Sequence, residues 1–321
     1  MTAPIVHGRV MVIGDIVTDV VTVLGAPIVA GSDTPAHISV AGGGAGANTA
    51  AWLANAGLAV TLCGVVGADA VGSARIAELS AAGVDCAVRQ SSEMPTGSIV
   101  ILSGPADRAM ITDRGANALL SVADVDAAFA GSADAVHLHL SGYSLLDAGS
   151  ADAARYALEA AHARGLTVSV DAASVVPLRE VGGLAFVSWV RRADVLFANA
   201  DEARVLLGEA DSRRLLATDL AAALATRLEG RADVGGTVVV KLGADGAVAA
   251  TSRGAVVEAP APPVTAVDAT GAGDAFAAGF LAAWLGGDGL DEALDTGAAF
   301  GARAVTTIGA RPPVARSHDL D

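Results

Sequence analysis

The segment VHLHL (Val136–Leu140), the helix-forming run Leu145–Arg164 closed by Gly165, and TVSV (Thr167–Val170) ending at Asp171 read in order as strand, helix and strand. The alternation continues downstream. Val195–Ala198 reads as a strand, Ala200–Leu207 as a helix stopped by Gly208, Asp211–Leu228 as a longer helix and Thr237–Leu242 as a strand. Gly243–Gly246 then turns that strand into a hairpin with Ala247–Thr251, and two helices, Gly271–Leu285 and Asp288–Val305, follow. Upstream, RVMVI (Arg9–Ile13) is a strand running into Gly14-Asp15. A helix over Ala47–Ala56, a strand over Val60–Val66 and a helix over Val71–Ala82 capped by Gly83 come next. Strands alternating with helices of this length form a parallel sheet covered on both faces.

Two regions break the alternation. Residues 17–40 and 96–112 are short β-rich runs, and SIVIL (Ser98–Leu102) and AMIT (Ala109–Thr112) flank GPADR, a polar turn. They are expected to form a small β lid over one edge of a single domain spanning residues 1–321. The tail ARPPVARSHDLD (Ala310–Asp321), with two prolines and few apolar residues, reads as partly irregular.

Composition narrows the function. The 321 residues carry 20 Lys plus Arg against 35 Asp plus Glu, a net charge of −15 that argues against a nucleic-acid partner, which needs a basic surface. Hydrophobic residues are 53% of the chain and aromatics 3%, so the core is built from Ala, Val and Leu. No apolar run reaches membrane-spanning length and the first residues lack the order of a signal peptide, which predicts a cytoplasmic protein without a membrane partner. Cys63 and Cys86 make neither a disulfide framework nor a CxxC site. Lys241 is the only lysine, against 19 arginines.

Three glycine-rich segments compete as ligand sites. Gly42–Asn48 (GGGAGAN) contains G-x-G-x-x-A, so one reading is a nucleotide-dependent oxidoreductase using the Gly42–Ala47 loop. The acid such a loop needs at the end of the next strand is missing, and Asp69 lies beyond it. Lys241–Gly246 (KLGADG) is a strand-to-turn pair that could pass under a nucleotide, but no P-loop pattern precedes its lysine. Val267–Phe276 (VDATGAGDAF) says most. Gly271-Ala272-Gly273 opens a helix whose free N–H groups form an anion hole, and Asp274 stands in its first turn. A carboxylate beside an anion hole would hinder a plain phosphate binder. It suits phosphoryl transfer to an alcohol, where the carboxylate takes the hydroxyl proton and the N–H groups neutralise charge on the phosphoryl group. A sensor that binds sugar or nucleotide without turnover has no use for such a base.

The sequence resembles the ribokinase-like (PfkB) family of carbohydrate and nucleoside kinases over essentially its whole length. Gly43-Gly44-Ala45-Gly46-Ala47-Asn48 with Ala50, Gly57 and Gly67 matches the N-terminal signature. DATGAGDAFAAGFL (Asp268–Leu281) matches the C-terminal one, with Ala269 as a departure, and Asn199-Ala200-Asp201-Glu202 matches an N-x-x-E motif between them. The resemblance implies a three-layer α/β/α sandwich with a mostly parallel central sheet and a β lid. It implies that Asp274 is the base and that Gly271, Ala272 and Gly273 are the anion hole. Glu202 with Asn199 would hold Mg²⁺ through water, Asp268 and Thr270 would line a monovalent-cation site for K⁺, and Lys241, Gly243 and Gly246 would lie near ATP. Asp19, Gly44 and Asn48 match substrate-binding positions, and an Asp beside an Asn amide suits sugar hydroxyls. A homodimer through the lid is also implied. Val17 removes one hydroxyl contact that ribose-specific members make, and Asp171–Val176 (DAASVV) faintly resembles a stretch of pseudouridine kinases.

Other residues carry less. His137 and His139 alternate on one strand with no third ligand nearby, so they read as satisfied strand histidines. Tyr143, Asp171 and Ser174 follow strand ends where α/β sites form. Arg108 on the lid hairpin reads as a surface residue. The predicted reaction is ATP-dependent transfer to a primary hydroxyl of a ribose-like sugar or a pseudouridine-type nucleoside.

Overall fold

The computed structural model describes residues 8–103, 108–230 and 235–313. Its strands are β1 (Arg9–Ile13), β2 (Val17–Leu24), β3 (Ala36–Gly43), β4 (Val60–Gly67), β5 (Val84–Ser91), β6 (Gly97–Ser103), β7 (Arg108–Asp113), β8 (Ala135–Ser141), β9 (Thr167–Asp171), β10 (Val195–Asn199), β11 (Thr237–Lys241), β12 (Ala247–Thr251) and β13 (Val256–Ala259). Nine form one sheet in the order β13-β12-β11-β10-β9-β8-β1-β4-β5. Seven neighbours from β11 to β5 run parallel, and β12 and β13 add an antiparallel edge.

Alternating side chains bury both faces of this sheet. Met11 and Ile13 of β1 join one core with helices Val122–Ala130, Ala151–Ala163, Ala200–Leu207 and Ala217–Ala225. Val10 and Val12 join the other with helices Ala45–Asn55, Ala272–Gly286 and Leu290–Ala304. Ala, Val and Leu make up most of both cores, packed around Phe186 in the first and Trp52, Phe197 and Phe280 in the second. His137 and His139 are buried in the sheet, sharing the hydroxyl of Ser169 at 2.7 and 2.8 Å. Burial holds both neutral, down to about 3 and about 4. Among the described residues no group of three or more His, Cys, Asp or Glu could hold a metal, and no helix is long and apolar enough to cross a membrane.

The remaining four strands form a second sheet, β3-β2-β6-β7. Its exposed side chains include Ile38, Val40, Met110 and Ile111. The GPADR turn lies outside the described residues apart from Arg108, whose backbone opens β7 and whose side chain is also outside them. In the tail, description stops at Pro313.

Two single helices expected from sequence are each two. Leu145–Arg164 divides into Tyr143–Leu146 and Ala151–Ala163, because Gly149 sits where a Cβ would meet the Ala118 carbonyl and Asp147 bonds forward to its N–H at 2.8 Å. Asp211–Leu228 divides into Glu209–Ser212 and Ala217–Ala225. There the buried Ser212 turns its hydroxyl onto the Arg204 and Gly208 carbonyls and ends the first piece.

Candidate active site

The parallel strands deliver their C-terminal ends to one edge of the sheet, where open α/β sheets bind ligands. β1 runs into Asp15, β8 ends at Ser141, β9 at Asp171, β10 at Asn199 and β11 at Lys241. Register pairs Ser141 with Asp171 and Asn199 with Lys241, so consecutive strand ends lie side by side.

Two helix starts complete the site. Gly44 has φ +96°, which turns the chain sharply from β3 into helix Ala45–Asn55, and a Cβ there would run into the Asp15 carbonyl. Gly271 is in the left-handed region at φ +74° and opens helix Ala272–Gly286 with no side-chain cap, leaving its first N–H groups for a ligand. Asp274 follows in the first turn. The two helices touch through Asn48, whose Nδ2 donates to Asp274 Oδ2 at 2.8 Å.

Asp274 is half-buried, and its carboxyl is pushed up to about 7. Loss of hydration is the main cause. The Asn48 bond and Lys241 pull the other way, while Asp171 and Asp15 add repulsion. A carboxyl poised near neutrality suits a general base.

Lys241 sits at the centre of the acids. Its Nζ donates to Asp171 Oδ2 at 2.6 Å, and a Cβ at Gly273 would lie 3.1 Å from it, so the ammonium faces the start of helix Ala272–Gly286. Burial would lower this ammonium, but Asp171, Glu202 and Asp274 together hold it above its ordinary value. Glu202 is buried and is pushed up to about 7, by desolvation first and then by Asp171. Its Oε2 accepts from the Asn199 N–H at 2.8 Å and its Oε1 from Asn199 Nδ2 at 2.7 Å, a capping box for helix Ala200–Leu207.

Beside Lys241 opens a cleft of about 540 Å³. Gly243, Gly246, Ala272 and Gly273 line it, with Pro262, Val264 and Phe276 giving an apolar lining. Asp19 is buried on β2 against the bare face of Gly43. Asp268 accepts from Thr270 N–H and Oγ1 at 2.9 and 2.6 Å, and from Gly309 N–H at 3.0 Å.

Several residues here had no assigned role in the sequence. Asp171 is the partner of Lys241. Tyr143 stands under Arg114, and burial raises its phenol to about 12 with a hydrogen bond to Ser174 opposing. Asp15, seen only as a strand end, accepts from Ala45 N–H and Ser141 Oγ and faces Arg114 at 3.8 Å. Arg311 was not foreseen at all. It donates to the Gly43 carbonyl at 2.9 Å and to Asn48 Oδ1 at 3.4 Å.

The dinucleotide reading of Gly42–Ala47 fails on topology. The strand before it, β3, belongs to the second, four-stranded sheet and pairs antiparallel with β2, whereas the fingerprint needs a parallel βαβ unit. Asp69, the acid nearest the required position, instead caps helix Ala70–Ala81 by accepting from Gly72 N–H at 2.7 Å.

A carboxyl raised toward neutrality beside an uncapped helix start, on the edge of a doubly covered parallel sheet, is an arrangement that phosphoryl transfer to an alcohol can use. The comparisons agree: a model described as pfkB family carbohydrate kinase matches residues 8–316, and the chain belongs to that family. It is 33% identical over 272 residues to the ATP-dependent ribose-1-phosphate kinase of Halopiger xanaduensis, covering 84% of this chain and 82% of that one. It is 29% identical to the ribokinase of Schizosaccharomyces pombe, covering 89% and 87%. The crystal structure of adenosine kinase from Sinorhizobium meliloti superposes with a TM-score of 0.80 at 26% identity, covering 95% of this chain and 96% of that one. The chain is therefore a sugar or nucleoside kinase of ribokinase-like α/β architecture.

Proposed function

We propose that the chain, acting as one catalytic unit with its lid, transfers the γ-phosphate of ATP to a primary hydroxyl of a ribose-like sugar or ribonucleoside. The observation that carries this reading is Asp274, held by Asn48 at the mouth of an uncapped helix start and poised near pH 7. Asp274 accepts the hydroxyl proton as the alcohol oxygen forms its bond to the γ-phosphorus. The bond from that phosphorus to the bridging oxygen breaks, and its electron pair leaves with ADP. The N–H groups of Gly271, Ala272 and Gly273, with Lys241, neutralise the charge in flight.

The apolar cleft beside Gly243 and Gly246 has the size and lining for an adenine nucleotide, and a relative named as ATP-dependent supports ATP as donor. Glu202 and Asn199 fit Mg²⁺ held through water, since both Glu202 oxygens already accept from Asn199 and a hydrated ion needs no direct ligand. Bound there, Mg²⁺ would screen the phosphate oxygens. Asp268 and Thr270 offer hard oxygen donors for K⁺ close to Gly271. Asp19, Gly44 and Asn48 line the acceptor side, and the names of the relatives share a ribose ring.

The exposed apolar side chains of the lid suit a homodimer through that sheet. The acidic surface leaves no footprint for nucleic acid, and the chain is assigned to the cytoplasm.

ADP release from Mg·ATP with K⁺ tests the reading, measured across ribose, fructose, 2-keto-3-deoxygluconate, adenosine, cytidine and pseudouridine, with ribose 1-phosphate added. Acceptor-dependent release with a pentose or nucleoside is expected. Release that no acceptor increases would contradict the reading.

A further inference from the structure

Against Gly42, two arginines converge on one carboxylate. Arg75 donates Nη2 to Glu78 Oε1 at 2.7 Å, and Arg311 Nη1 lies 3.5 Å from Glu78 Oε2. The arginine side chains are only 10% and 13% exposed, while Glu78 is 46% exposed. Three guanidinium nitrogens, Arg75 Nε and Nη1 and Arg311 Nη1, are buried without any hydrogen-bond partner. Leaving such donors unmade is costly, so each calls for a partner such as a water, an ion or a ligand.

This cluster is not remote from the chemistry. Arg311 Nε donates to Asn48 Oδ1 and the other end of the same amide, Nδ2, donates to Asp274. One side-chain amide therefore separates the base from the guanidinium, about the span of a pentose ring. Gly42 leaves the intervening surface bare, because a side chain there would run into the Arg311 guanidinium. Asp19 and Arg75 both act electrostatically on Arg311, and its burial lowers the guanidinium to about 10, still charged at neutral pH.

We propose that Arg311 and Arg75 receive a phosphate monoester carried by the acceptor sugar, so that the substrate is a sugar phosphate and the product carries two phosphates. The proposal rests on Asp274 as the base. Glu78 occupies the subsite in the absence of the ester and swings into solvent when it binds. Two guanidinia against Glu78 and Asp19 are in balance, and displacing Glu78 leaves a net charge of about +1 to meet the −1.5 to −2 of a phosphate monoester. Three guanidinium nitrogens that make no hydrogen bond also match its three terminal oxygens better than the two of a carboxylate.

The experiment compares ribose 1-phosphate, ribose and the sugar acid 2-keto-3-deoxygluconate as acceptors in the wild-type protein and in Arg311→Gln and Glu78→Gln. Ribose 1-phosphate is expected to have the highest kcat/KM. Arg311→Gln is expected to reduce its preference over ribose about tenfold or more, the loss of one charge-assisted bond. Glu78→Gln removes the competing carboxylate and is expected to lower the KM for ribose 1-phosphate. Equal use of ribose, preference for the sugar acid, or a preference unchanged by Arg311→Gln would each overturn the subsite. Calorimetric titration of ribose 1-phosphate without ATP separates this from the kinase reading. If no acceptor is phosphorylated, the kinase reading falls, yet binding that strengthens in Glu78→Gln and weakens in Arg311→Gln still supports the subsite, and no binding overturns it.

Discussion

Asn48 Nδ2 lies 2.8 Å from Asp274 Oδ2, a bond between residues 226 positions apart that ties the two glycine-led helix starts together. It holds the proposed base in line with the acceptor side of the site and lowers the cost of its negative charge. In Asn48→Ala that support is gone, so the Asp274 carboxyl rises further above its ordinary range. The ascending limb of kcat/KM against pH is expected to move to higher pH, and activity at pH 7 to fall by roughly tenfold or more. A pH profile of both proteins checks this.

Asp274 also leaves a signature in stability. Its carboxyl is raised to about 7 in the folded protein, against an ordinary value of 3.8. The folded state thus binds the proton more tightly, and ionisation costs stability as pH climbs from about 4 to about 7, with no further change above. Asp274→Asn is isosteric and never ionises. Its stability advantage over wild type is expected to grow through that window to the order of a few kcal/mol and then level off. Urea titrations at pH 4.5, 6 and 8 measure it.

Lys241 serves three acids at once. Replacing it with Met frees Asp171 of its 2.6 Å partner and removes the cation that holds down both Asp274 and Glu202. The pH limb is expected to shift upward and kcat to fall by about ten- to a thousand-fold, in the range seen when one transition-state donor is lost. Steady-state kinetics at several pH values would show it.

Gly271→Ala tests the helix start without touching a charge. A Cβ there would lie 2.5 Å from the Ala310 carbonyl, and alanine resists φ +74°. Loss of about 1–3 kcal/mol is expected, with a weakened ATP KM because the proposed anion hole shifts. Thermal unfolding and ATP titration report the two effects separately.

Much of this site is legible in the sequence because its chemistry is local. Gly271 to Asp274 is one turn of helix, so spacing carries it, while Asn199 and Glu202, a capping box three residues apart, stand out through the N-x-x-E motif of the family resemblance. The strand ends Asp171 and Lys241 were visible singly, but their pairing depends on the order of β9, β10 and β11 in the sheet. Arg311 gave no local signal. It sits in a proline-flanked tail, and its partners Gly43, Asn48 and Glu78 come from elements over 230 residues earlier. In the fold, the short helices Val175–Val181 and Gly183–Val190 follow Ala173 at φ +73°, a turn that nothing in an alanine announces. Strands β5 and β13 escaped for a different reason. Their polar residues interrupt the apolar pattern at the two edges of the sheet.

The most direct test of the central claim follows transfer of radiolabelled γ-phosphate from ATP to the best acceptor in a single turnover, in wild type and in Asp274→Asn. Labelled sugar phosphate from the wild type, with the rate reduced about 10²- to 10⁴-fold in the variant while ATP binding persists, is the predicted result. An equal rate in both proteins would contradict the assignment of Asp274 as the base.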